Sequence, residues 1–201
     1  MKLSKILIAF ILVAFSFMAT AKAAPNPMVQ MKSVTNQMLA ALKKNRARLK
    51  RNPKYINRLV RRIVLPHADV KGMSRSVVGR TAWKSSSKSQ QAAFSKAFTN
   101  VVIRTYASAL NAYTDETVKF YPVRGGYQGK RRVEIHTRVI RSDGPPIPVN
   151  YRLALKKNNW KIYDLNVEGV GLLQSFYAQF QDELSRGKTL TQITRELRRR
   201  K

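Results

Sequence analysis

The chain of 201 residues contains no cysteine, which excludes both a disulfide framework and a thiolate metal site. Acidic residues are scarce: 10 Asp and Glu face 39 Lys and Arg, for a formal charge of +29. So lopsided a balance creates a strong positive field and directs attention to anionic partners. Histidine occurs only at His67 and His136. His67 and Asp69 are two apart and His136 is distant, whereas zinc needs three or four ligands at recognisable spacing. A structural histidine is the plainer reading. The G-x-S-x-G elbow of serine hydrolases is missing. Gly125, Gly126 and Gly129 lack the Lys-Ser or Lys-Thr and the following helix of a phosphate loop, and read instead as a hairpin turn. Asp164 and Glu168 stand four apart at a strand end. A carboxylate pair needs a defined separation that sequence spacing does not provide. Hydrogen bonds or ion pairs among the many arginines account for both.

Long apolar runs are lacking too, with one exception. Ile6 to Ala19 is about fourteen residues, short of the roughly 20 that span a bilayer. Lys2 and Lys5 precede it and Ala21-Lys22-Ala23 follows it. This is the pattern of a secretory signal with an A-x-A cleavage site, so residues 1–23 are expected to be removed after Ala23. The expected product is one domain over 24–201, mainly helical over 24–115, an antiparallel sheet over 116–168 and helical over 169–201. Loss of Lys2, Lys5 and Lys22 leaves a charge of +26. In an exported protein that charge points to anionic lipid, membrane surfaces and envelope proteins, and away from nucleic acid as a physiological partner.

What is present is clear periodicity. Met31, Val34, Met38, Leu42 and Leu49 fall near one face of a helix from Pro27 to Lys50. Asn52-Pro53 predicts the next helix start, with Tyr55, Leu59 and Ile63 on its face and Pro66 ending it. A short helix is expected from Ser74 to Arg80. Ser87 and Gln90 have capping-box spacing and open a long helix with Phe94, Phe98, Val101, Val102, Thr105, Tyr106, Ala109 and Tyr113 on a broad stripe. The period then changes to two. Thr117 to Val123 reads as a strand, and Val133, Ile135, Thr137 and Val139 alternate with polar residues. So do Val149, Tyr151, Leu153 and Leu155, before a turn at Asn158-Asn159 and a partner strand from Trp160 to Val167. The simplest assembly is an α+β fold, an antiparallel meander with helices over its apolar face. After Gly169, Leu172, Leu173, Phe176, Tyr177, Phe180 and Leu184 form another helical stripe. Leu190, Ile193 and Leu197 form the last.

Two features bear on function. The stretch from Lys43 to Arg62 holds ten cations, more than a solvated helix face needs, and steers the protein toward acidic sites or anionic headgroups. The abundant apolar residues either fill a core or line a pocket between sheet and helices.

The residue order is itself informative. The run LVRRIVLPHADVKGMSRSVVGRTAWKSSSKSQQAAFSKAFTNVVIRTYASAL resembles the central signature of the MlaC, or toluene-tolerance, protein family. It has a Leu-Pro-His turn (Leu65, Pro66, His67), a Gly-Arg-x-x-Trp (Gly79, Arg80, Trp83), a Gln-x-x-x-Phe-x-x-x-Phe helix (Gln90, Phe94, Phe98) and Thr-Tyr-Ala (Thr105, Tyr106, Ala107). A second block resembles the family at Tyr151, Trp160, Tyr163, Asp164, Glu168, Gly169, Phe176, Gln179 and Phe180. Gly171 and Ala178 stand where Ser and Arg are commoner. The resemblance spans nearly the whole exported part and includes no catalytic motif.

It implies a non-enzymatic periplasmic shuttle with an NTF2-like twisted sheet, a helical N-terminal part and an apolar pocket. Its cargo would be phospholipid, and no cofactor is implied. Its partners would be an outer-membrane lipoprotein complex and an inner-membrane ABC transporter carrying an MCE-domain ring, with transient contact at membrane surfaces. Its role would be the maintenance of outer-membrane lipid asymmetry. The lining is expected from Val101, Val102, Tyr106, Phe120, Val139, Tyr151, Leu153, Val167, Val170, Leu173 and Phe176. An envelope lipid or ester hydrolase using Asp164 or Glu168 on the same scaffold, and a cationic adaptor without cargo, are the alternatives.

Overall fold

The computed structural model of the protein describes residues 24–111 and 115–199. The expected signal segment, Tyr113 of the long-helix stripe, and Arg200 and Lys201 lie outside the described residues. Helix α1 (Pro27–Lys44) begins where Asn26 accepts a 2.9 Å hydrogen bond from the Met28 amide, with Pro27 in the first turn. Asn and Pro suit those two positions because one supplies an acceptor and the other lacks a donor there. Met31, Val34, Met38 and Leu42 form its buried stripe. The periodicity predicts one helix to Lys50, but the chain breaks at Asn45. Its side-chain amide donates to the Ala41 carbonyl at 2.8 Å, a local competitor of the helical bond. The helix resumes as α2 (Arg46–Arg51). Asn52 makes no side-chain cap bond, and Pro53 starts a 3-10 turn, Pro53–Tyr55, before α3 (Ile56–Ile63).

Helix α4 (Val70–Val78) starts four residues before the expected Ser74, because Asp69 caps it by accepting from the Gly72 amide at 3.2 Å. A Cβ on Gly72 would stand 1.9 Å from the Asp69 carboxylate, so the cap requires glycine there. Helix α5 (Arg80–Ser85) follows. The long α6 (Lys88–Asn111) opens with the expected capping box: Gln90 Oε1 accepts from the Ser87 amide at 2.8 Å, and Ser87 Oγ from the Gln90 amide at 3.2 Å. Phe94, Phe98 and Val101 on its stripe are buried, whereas Thr105 and Ala109 face solvent.

The five strands are β1 (Thr117–Phe120), β2 (Arg132–Ile140), β3 (Ile147–Lys156), β4 (Asn159–Val167) and β5 (Val170–Gly171). They pair in sequence order, every neighbour antiparallel, as the meander pattern predicts. The β3–β4 turn is made by Lys157 and Asn158, with φ of 48° and 59°. The turn therefore sits one residue earlier than Asn158-Asn159. A pair of positive φ values is the hairpin geometry that matches strand twist. Helices α7 (Leu172–Ser185) and α8 (Leu190–Arg199) complete the fold.

Three apolar clusters hold these elements together. The first joins α4 to α8 and centres on Phe94, Phe98 and Phe180, with Phe180 edge-on to Phe94 at 5.4 Å between centroids. The second lies between α1 and the sheet, and the third among α1, α2, α3 and the end of α6. Leu165 packs on both the first and second, and Val64 on both the second and third.

Candidate functional site

The inner sheet face follows from strand alternation and one irregularity. Val133, Ile135, Thr137 and Val139 of β2 lie opposite Leu153, Tyr151, Val149 and Ile147 of β3. On β4 the register shifts between Arg152 and Leu153: Leu153 pairs with Ile162, but Arg152 pairs with Asp164, leaving Tyr163 as the extra residue. Strict alternation from Trp160 and Ile162 would carry Asp164 and Asn166 inward. The bulge resets it, so that Leu165 and Val167 share the face of Tyr151 and Val149. On the other face Arg152 instead bridges Asp164 at 3.2 Å and Glu134 at 3.5 Å across the strands.

Asp164 is buried, at 4% exposure, and each oxygen is engaged. Oδ1 accepts from the Leu165 and Leu173 amides at 2.9 Å and 3.0 Å, and Oδ2 from Arg152. Leu173 lies in the first turn of α7, so a carboxylate from β4 satisfies the helix start that Gly171 cannot cap. This fixes α7 against the sheet. Asp164, considered above as a hydrolytic carboxylate, is thus bound up in the architecture, and Glu168 is exposed.

The inner face divides in two. Toward the β3–β4 turn it is filled: Val133, Ile135, Leu153, Trp160 and Ile162 are each at most 7% exposed under Met31. Toward the opposite end it is half-open except at Thr137, which is buried. Phe120, Val139, Val149, Tyr151, Leu165 and Val167 are all partly accessible, as are Val102 and Tyr106 of α6 and Leu173 and Phe176 of α7. Val139, Val149 and Val167 belong to none of the three packed clusters. Burial pushes the phenol of Tyr151 up, partly offset by its hydrogen bond with Thr35 of α1. Burial, and then the charge of Asp164, push that of Tyr106 up. Both hydroxyls therefore remain protonated near neutrality, and the region carries no formal charge from them.

The structure thus gathers Val102, Tyr106, Phe120, Val139, Tyr151, Val167, Leu173 and Phe176 among the half-buried residues of sheet, α6 and α7. Leu153 sits in the filled half and Val101 within the helical cluster, at 0% and 8% exposure. Val170 is on the short edge strand and 62% exposed. Val149 and Leu165 share this half-buried face and lie outside the expected lining. Leu165 is invisible to simple alternation because the bulge decides its face.

A separate surface cleft of about 570 Å³ lies by the β3–β4 turn. It is open and cationic, bordered by Arg131, Lys156, Lys157 and Lys161 around Asp69, and does not suit acyl chains. His67 is structural. Gln30 Nε2 donates to the Trp160 carbonyl at 2.8 Å and lies 3.3 Å from His67 Nδ1. Burial and then Lys161 hold the His67 pKa below its usual value. Among the described residues, no group of three or more His, Cys, Asp or Glu could hold a metal, and no helix is long and apolar enough to cross a membrane.

These features define an α+β protein in which helices wrap one face of an open antiparallel meander and leave part of that face partly accessible. The chain belongs to the MlaC protein family, whose model matches residues 32–199. It is 26% identical over 192 residues to the intermembrane phospholipid transport system binding protein MlaC of Haemophilus influenzae, covering 94% of this chain and 89% of that protein. It is 27% identical over 176 residues to the toluene tolerance protein ttg2D of Pseudomonas putida, covering 88% of this chain and 80% of that protein. Its fold superposes with a TM-score of 0.80 on a phospholipid-binding protein of Ralstonia solanacearum solved in complex with a phospholipid. The two are 26% identical, over 86% of this chain and 95% of the other.

Proposed function

We propose that this protein is a periplasmic phospholipid carrier. It shelters acyl chains between the far end of the sheet and helices α6 and α7, and moves lipid between an outer-membrane lipoprotein complex and an inner-membrane ABC transporter with an MCE-domain ring. This exchange maintains outer-membrane lipid asymmetry. The observation that carries the reading is the half-open apolar face, in a chain sharing its fold with a phospholipid-bound relative.

The physical need is large. Each CH₂ exposed to water costs about 0.8 kcal/mol, so two tails of about sixteen carbons carry roughly 25 kcal/mol of gross transfer cost. An apolar cradle offsets this without directional bonds, which makes chain number and shape the selectors. The headgroup stays at the mouth in water. The fold offers no nucleotide-binding loop, so the work of loading or unloading falls to a partner.

The test is extraction of the gently purified protein with organic solvent followed by mass spectrometry. Phospholipid is expected in repeated preparations, and its consistent absence refutes the carrier. Val139→Asp and Val167→Asp should lower bound lipid while preserving the circular dichroism spectrum. Leu153→Asp, in the filled half, should unfold the protein instead.

A further inference from the structure

Before Asp115 the sequence carries a single acidic residue, Asp69. The structure turns this imbalance into a surface. Helix α2, the Pro53–Tyr55 turn and α3 form a corner whose inner side is apolar: Leu49, Ile56 and Leu59 pack with Ala107 and Leu110 of α6. Its outer side is cationic. All ten Lys and Arg from Lys43 to Arg62 are exposed, and the ion pairs seen between described residues lie elsewhere. At the apex the guanidiniums of Arg48 and Arg58 lie 4.1 Å and 5.5 Å from the ring centre of Tyr55.

We infer that this corner is a docking surface for anionic lipid bilayers. A tight protein contact concentrates on well-packed, desolvated anchors, and the aromatic ring here, Tyr55, already lies under two guanidiniums. The large exposed apolar residues of the described structure are Val29, Ile140, Val170 and Tyr177, none of them on this corner. What remains is exposed charge on long side chains beside an aromatic ring, which suits a flat, diffuse field of headgroups and not a shaped pocket.

The corner also lies close to the proposed cargo region. Asn111 Nδ2 donates to the Pro53 carbonyl at 3.2 Å, tying the turn to the last residue of α6. Tyr106 lies five residues back, about 8 Å along the helix axis. Docking by the corner would hold the end of α6, and with it the Tyr106 side of the half-open face, near the bilayer.

The test uses sedimentation of the purified protein with vesicles of phosphatidylcholine, alone or with about a third phosphatidylglycerol, whose charge attracts each nearby Lys or Arg about fivefold. Binding should require the anionic lipid and fall when salt rises from about 0.05 M to about 0.5 M, as the Debye length shortens. Neutralising Arg46, Lys50, Arg51 and Lys54 to Gln should weaken it at least about thirtyfold. Neutralising the exposed control set Lys71, Arg75, Lys84 and Lys88 removes the same charge and should weaken it less than about threefold, as expected away from a contact. Equal losses in the two variants would show an effect of net charge alone and overturn the proposal. Absence of vesicle binding would overturn it too, as would tighter binding to polyglutamate than to anionic vesicles. Lipid extracted from the corner variant should be unchanged, so failure of docking and failure of the carrier reading give different results.

Discussion

At the scale of single residues, Gly72, His67 and Asp164 show how much of the molecule depends on local polar geometry. Gly72→Ala would drive a Cβ into the Asp69 carboxylate and break the α4 cap, at a cost of about 1 kcal/mol. A lowered denaturant midpoint with an unchanged slope is the expected readout. His67 has a depressed pKa in the folded state, so the unfolded chain binds the extra proton first. Its contribution to stability is complete above the unfolded value near 6.5 and is lost as pH falls through the lower folded value. His67→Asn, which keeps an acceptor for Gln30, should flatten the fall in stability between about pH 7.5 and pH 5.5. Asp164→Asn removes a charge from a helix start and from Arg152, and should destabilise by about 2–4 kcal/mol in denaturant titration.

At the scale of elements, α7 carries the sharpest contrast. Phe180 is fully buried against Phe94 and Phe98, while Tyr177, three residues earlier, is 47% exposed. Phe180→Ala should cost about 3–5 kcal/mol by creating a cavity, and Tyr177→Ala should stay within about 0.5 kcal/mol. Phe180 on the buried stripe was legible in the sequence, as were the capping box at Ser87 and Gln90 and the meander, but Tyr177, expected on the same stripe, faces outward. The break at Asn45 and the start of α4 at Asp69 were not legible, because a polar side chain there competes with or caps the backbone. A second box at Thr189 and Gln192, where each amide finds the other's side chain, was readable from T-x-x-Q and went unread. The β4 bulge was beyond reach. The same residues alternate equally well without it, and only pairing with β3 reveals that Leu165 turns inward beside the expected Val167.

At the scale of the whole molecule, the sequence could state how much apolar surface exists but not which part of it is filled. Leu153 and Tyr151 are two apart on one strand face, yet one is sealed and the other partly open. That difference depends on what Met31 and Thr35 of α1 place above them. If cargo occupies the open part, removing it should lower the melting temperature, and adding lipid back should restore it in a concentration-dependent way, as for any ligand that binds only the native state. Calorimetry before and after extraction would check this. The three apolar clusters add a final consequence. Neighbouring clusters share only Leu165 or Val64 among the described residues, so little packing ties one block to the next. Such blocks can part and rejoin without any one of them melting. If cargo enters between such blocks, room for a guest is made on arrival and erased on departure, and the unladen molecule has no need to keep a greasy lumen standing open to water.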